Sequence, residues 1–148
     1  MAHEAVHQGL FVRERRKSPV RQDSLGFSPW RLTVRPGRLV WHGFWTFACQ
    51  SALIAEEMSH SPKILVKDSN LTSFVTEMAA RVVTCFDSLD MFEITTTEEL
   101  DRCAEACGRL EAALAALCSV AAFSDELKFQ RVQASAEFRA WADSFVER

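Results

Sequence analysis

The chain has 148 residues, 48% of them hydrophobic and 25% charged, with five Gly and four Pro, proportions that exclude collagenous, low-complexity and wholly disordered classes. A chain of this length buries roughly 68 to 70% of the surface its unfolded form exposes, enough for a core without disulfides or a metal. The net charge of −3 conceals two opposed halves: residues 1–50 carry eight Lys or Arg against three acids, and residues 51–148 carry nine against seventeen.

From Met1 to Ser28 apolar residues are sparse and aperiodic, and Gly9, Pro19 and Gly26 interrupt the pattern. This segment reads as an arm, flexible unless docked. Its positive charge is densest at Arg13, Arg15, Arg16, Lys17 and Arg21, a run suited to phosphates or another polyanion. The competing expectation is that the arm folds back on the acidic body. A domain pI near 5.8 weakens a nucleic-acid role.

Next, Trp30 to Val34 and Leu39 to Trp41 flank Pro36-Gly37, a pair suited to the centre of a type II turn, and predict a short hairpin. Trp30, Leu32 and Val34 would share one face and Arg31, Thr33 and Arg35 the other. Two strands alone are marginal, so the hairpin must lean on helices. His42 is expected to cap or close it.

A first helix is predicted from about Gly43 to Ser59, ending before Pro62. The second starts near Ser69 or Asn70 and shows Leu71, Val75, Met78, Val82, Cys85, Leu89 and Phe92 at alternating steps of four and three. The third starts in Thr95 to Thr97, where Thr95 with Glu98 or Thr96 with Glu99 can form a capping box. Its stripe is Leu100, Cys103, Cys107, Leu110, Leu114, Leu117 and Ala121. Such spacing, with the short Glu93 to Thr96 connection, predicts an antiparallel pair forming the spine. The charge-free stretch from Ala112 to Phe123 is expected to be enclosed. A fourth helix follows Ser124-Asp125-Glu126, with Leu127, Ala134, Phe138, Trp141 and Phe145 in one stripe and Phe129 and Val132 beside it. The expected architecture is therefore mainly α: an antiparallel bundle of about four helices with a short N-terminal β-hairpin. A basic arm over 1–28 precedes a single bundle domain over 29–148.

Negative results rank the function classes. Cys49, Cys85, Cys103, Cys107 and Cys118 are odd in number and lie on predicted helix faces, which is no disulfide framework. With no apolar signal segment in the first twenty residues, a cytoplasmic site is the expectation. The uncharged run Leu39 to Ala55 is too short and too polar for stable membrane insertion. Cys103 and Cys107 lie one turn apart and suggest a thiol-based metal or redox site, yet they fall in the same series as Leu100 and Leu110, which core packing explains. The histidines are His3, His7, His42 and His60, and His42 stands seven residues from Cys49, too far for direct proton transfer. The glycines form no phosphate-cradling loop, and no cofactor is expected. Asp87, Asp90, Glu93, Glu98, Glu99 and Asp101 concentrate acid around the second inter-helix turn, which reads first as a solvated acidic end and, as the sharper alternative, as a docking surface for a basic partner or for the chain's own arm.

The resulting expectation is a non-enzymatic protein-interaction module, an adaptor, chaperone or regulator. It would hold a protein partner through the aromatic and arginine surface of Trp30, Arg31, Arg35, Arg38, Trp41, Phe44 and Trp45. Self-association through a helix stripe is a further expectation. The alternatives are nucleic-acid or other polyanion binding through the arginine-rich N-terminal region, and the thiol site.

Overall fold

Residues 2–60 and 68–146 are described by the structure, a computed structural model. Helix α1 (Ala2–Arg16) is followed by strands β1 (Leu25–Ser28) and β2 (Thr33–Pro36) and by helix α2 (Gly37–His60). Helices α3 (Ser69–Met91), α4 (Thr97–Leu117) and α5 (Ala121–Val146) complete the described chain. Pro62, expected to stop the first bundle helix, lies outside the described residues.

The chain is mainly helical with an antiparallel hairpin, as its patterning predicts, but with five helices instead of four. The additional one is α1, in the segment expected to be a flexible arm. Leu10 is buried, Val6 is partly buried against the core, and α1 packs on α2. The 28/29 division therefore falls inside a hairpin and not between an arm and a body.

The hairpin also differs in register. Leu25, Gly26, Phe27 and Ser28 pair with Pro36, Arg35, Val34 and Thr33, and the connection is Pro29 to Leu32. Pro36-Gly37 is no turn centre: Pro36 ends β2 and Gly37 opens α2, its N–H donating to the Ser24 carbonyl at 2.7 Å. Leu39, Val40 and Trp41 are helical because Val40, Phe44, Ala48, Ser51, Ala55 and Met58 form one buried stripe at steps of three and four. That stripe outweighs alternation over a few residues. The run Leu39 to Ala55 lies in this helix, and none of the described helices is long and apolar enough to cross a membrane.

Helix α2 is the centre of the bundle, packed against α3 and α4, while α5 covers α3. Contact between α3 and α4 is limited, so the predicted α3/α4 spine is replaced by α2 with its two neighbours. Ala112, Ala115, Ala116, Ser119, Ala121 and Ala122 are exposed, contrary to the expected enclosure. A lone methyl group offers too little apolar area to demand a covering element. Leu127, Ala134 and Phe138 of α5 are buried as predicted, whereas Phe129 and Val132 face outward. Phe27 of β1 meets Phe138 and Trp141 with ring centroids 5.6 and 4.9 Å apart, closing the hairpin over α5.

The segment after α1 is stitched to the α3–α4 connection. Arg21 N–H donates to Ile94 O at 2.8 Å and Thr96 N–H to Pro19 O at 2.9 Å. Asp68 caps α3 by accepting from the backbone N–H of Asn70 and Leu71. Thr96 caps α4 by accepting from Glu99 N–H, but the reciprocal half of the predicted capping box is absent. Pro19 has taken the Thr96 N–H, and the Glu99 carboxylate turns inward. Gly26 sits where a Cβ would collide with the Ile94 side chain, which explains glycine in this strand.

Candidate functional site

Several residues that sequence patterning assigned to an outer surface meet instead at one buried carboxylate. Glu99 is 1% exposed; its Oε1 accepts the indole N–H of Trp41 at 2.8 Å and of Trp45 at 2.9 Å. Its Oε2 pairs with Arg13, whose guanidinium carbon lies 5.7 and 5.6 Å from the Trp41 and Trp45 rings. Arg102 adds a longer ion pair at 3.6 Å. This network binds α1, α2 and α4 together. Trp41 and Phe44, expected at a binding surface, are fully buried, so neither can touch a partner.

A second polar junction holds the middle of α1. Arg38 donates two hydrogen bonds to Glu14, at 2.6 and 2.9 Å, and lies over the Phe11 ring. His42 Nε2 faces the same carboxylate at 3.3 Å, within ion-pair range but off the line of a well-aligned hydrogen bond. His42 Nδ1 stands 3.3 Å from His7 Nδ1, with the two rings stacked. One consistent proton arrangement has His7 donating to a neutral His42. Burial pushes the His42 pKa down despite the neighbouring Glu14 charge. Burial also opposes ionisation of Glu14, but the Arg38 hydrogen bonds and the His42 charge outweigh it and hold that carboxyl below its ordinary range. His42 therefore secures α1 and does not cap the hairpin.

These junctions position a cleft of about 400 Å³ between α1, the hairpin and α2. Trp30 stacks on Phe47 with centroids 4.5 Å apart, forming an aromatic wall. Thr46, His42, Arg31, Arg35 and Leu39 also line the cleft, together with His7, Ser28 and Gly43. The hairpin connection is pinned from behind by Arg81, which donates to the Pro29 carbonyl and also pairs with Glu77 and Glu137. Gly43 gives the Trp30 ring its place: a Cβ there would lie 3.0 Å from the ring.

Two donors of residues lining this cleft are buried without a hydrogen-bond partner among the described residues, Trp30 Nε1 and the hydroxyl of Thr46, a residue 1% exposed. Each such group costs about 1 to 3 kcal/mol when left unpaired. Neither the Arg31 nor the Arg35 guanidinium has a partner among the described residues, and no Asp or Glu lines the cleft. The lining thus offers hydrogen-bond donors and positive charge against an aromatic wall. Sequence patterning found Trp30, Arg31 and Arg35, with Phe47 at the end of the same aromatic cluster, but missed Thr46; a single hydroxyl between Trp45 and Phe47 was the available signal.

The basic run is divided. Arg13 is absorbed by Glu99 and Arg21 pairs with Glu93 at 2.7 Å, so the segment does fold back on the acidic body. Arg15, Arg16 and Lys17 are exposed, and Arg16 and Lys17 line a second cleft of about 300 Å³ with Arg102, Glu98 and Glu99.

The thiols point away from thiolate chemistry. Burial, reinforced by the charges of Glu111 and Asp87, pushes Cys107 up to about 12, and burial raises Cys49, Cys85 and Cys103 as well. A nucleophilic or metal-binding thiol needs the reverse. Among the described residues no three His, Cys, Asp or Glu side chains are grouped to hold a metal ion.

Compared with protein-family models, curated proteins and solved structures, the chain matches none of them.

Proposed function

We propose that this chain is a non-enzymatic protein-interaction module, of the adaptor, chaperone or regulator class, whose partner surface is the cleft of Trp30, Arg31 and Arg35. The observation that carries the reading is the pair of guanidinia beside Trp30 that have no partner among the described residues. Arg and Trp flanking a concavity are the residue types that dominate binding energy at protein interfaces. Buried Trp41 and Phe44 and half-buried Trp45 support this face from beneath, and exposed Arg38 holds α1 beside it through Glu14. The surface charge selects an acidic partner. The test is affinity capture of the tagged chain from its native cells at moderate salt, beside an Arg31→Glu/Arg35→Glu variant. A stoichiometric partner that the variant loses, with its helical signal unchanged, supports the reading; a partner that the variant retains refutes it.

The second reading is polyanion binding, favoured by exposed Arg15, Arg16 and Lys17, whose side chains have no partner among the described residues. It requires binding that falls steeply with salt and is lost on neutralising those three residues.

A further inference from the structure

We propose that the cleft holds a single carboxylate carried on a short apolar body, and that this group is the means by which the partner is gripped. The inference rests on the reading of this face as a partner surface and adds the chemistry of the contact. Beside the Ser28 hydroxyl, which can donate or accept, the unpartnered polar groups around the cleft favour an acceptor. Trp30 Nε1 can only donate, the guanidinia of Arg31 and Arg35 can only donate, and the Thr46 hydroxyl is free to donate. His7 and His42 are engaged with each other, and His42 also faces Glu14.

Charge argues in the same direction. Arg31 and Arg35 place two positive groups on the lining, which contains no carboxylate. The nearby Glu14 carboxylate is held by Arg38 and His42. A planar guanidinium fork matches a carboxylate in two-point contact, and an oxyanion would satisfy the buried hydroxyl and indole N–H that the fold leaves without partners.

The apolar body follows from the wall. The stacked Trp30 and Phe47 rings and Leu39 offer a flat apolar surface that a bare phosphate would not use. A volume of about 400 Å³ admits one side chain or a small aromatic acid. An acidic or chain-terminal residue of a protein partner and a free organic acid share this chemistry, and the experiment separates them.

The probe is sodium benzoate, titrated at constant ionic strength into the full-length ¹⁵N-labelled chain while the four tryptophan indole N–H signals are followed. The Trp30 signal, assigned by its loss in Trp30→Phe, should move downfield and saturate, while those of Trp41 and Trp45, already bonded to Glu99, stay in place. Thr46→Val removes the buried hydroxyl at nearly constant shape and should weaken benzoate by about tenfold or more, as expected for a hydrogen bond to a charged group. Its unchanged Trp41 and Trp45 signals would certify the fold. Absence of saturation, saturation unaffected by Thr46→Val, or saturation by inorganic phosphate but not benzoate would each overturn the proposal. A captured partner released by benzoate supports both readings. Benzoate saturation without any captured partner sustains the carboxylate site for a free acid and removes the interaction-module reading. A partner lost with Arg31 and Arg35 but indifferent to benzoate and to Thr46→Val does the opposite.

Discussion

Trp41 donates its indole N–H to Glu99 at 2.8 Å across 58 residues of sequence, and this bond fixes the helix after the hairpin to the start of α4. The same carboxylate receives Trp45 and Arg13, so three helices depend on one side chain. Glu99→Ala would leave two indole donors and a guanidinium without their shared acceptor. Loss of one member of a buried charged network costs about 3 to 5 kcal/mol. Urea denaturation followed by far-UV circular dichroism should show a fall of that order. Glu99→Gln, which keeps a carbonyl for an indole, should lose less, and equal losses would refute the account.

Acid should loosen α1. The groups facing His42 are His7 and Glu14 from α1 and Arg38 from its own helix. Burial holds the His42 pKa below its ordinary 6.5, so the folded chain binds fewer protons there than the unfolded chain. That contribution to stability is whole above 6.5 and is lost as pH falls through that value toward the folded pKa. Glu14 acts later, its lowered pKa giving a contribution present above 4.5 and lost below it. The urea midpoint should therefore fall between about pH 7.5 and pH 5.5, and the fall should flatten in His42→Gln. An equal slope in that variant would assign the effect elsewhere.

The starts of α3 and α4 were readable because capping chemistry is local: Asp68 acts next to the predicted Ser69, and Thr96 performs the predicted cap. Helix α1 was not readable because its docking face is Val6, His7, Leu10, Arg13 and Glu14, mostly polar groups whose partners lie far along the chain. Hydrophobic periodicity cannot register a face held by ion pairs. The surface was half legible for a related reason. Trp30, Arg31 and Arg35 do line one cleft, but counting Trp41 with them required a strand where a helical stripe prevails, and Phe44, on the predicted helix, turns into the core. Pro36-Gly37 suits both a turn centre and a helix start, and only the tertiary contacts of Gly37 decide between them.

The bundle cysteines should resist modification. With Cys107 raised from 9.0 to about 12, its thiolate fraction at pH 8 is lower by about a thousandfold, and reactivity follows the thiolate. Buried Cys85 and Cys103 belong to the same slow class. Reaction with a colorimetric disulfide reagent at about pH 8 should be slow for these three until denaturant is added. Rapid stoichiometric labelling of Cys107 in the native chain would revive a thiol function.

Gly43 gives the sharpest separation of stability from binding. In a helix interior Gly→Ala ordinarily stabilises by roughly 0.5 to 1 kcal/mol, because alanine loses less backbone entropy on folding. At Gly43 the new methyl would lie 3.0 Å from the Trp30 ring, which also stacks on Phe47, so the indole must yield by a few tenths of an ångström. Gly43→Ala should therefore forfeit most of the usual gain, shift the Trp30 indole signal and weaken benzoate, while the Trp41 and Trp45 signals remain. Binding would suffer because Trp30 contributes both the wall and a donor of the cleft. A full helix-propensity gain with unchanged benzoate affinity would mean that the position of Trp30 does not govern the site.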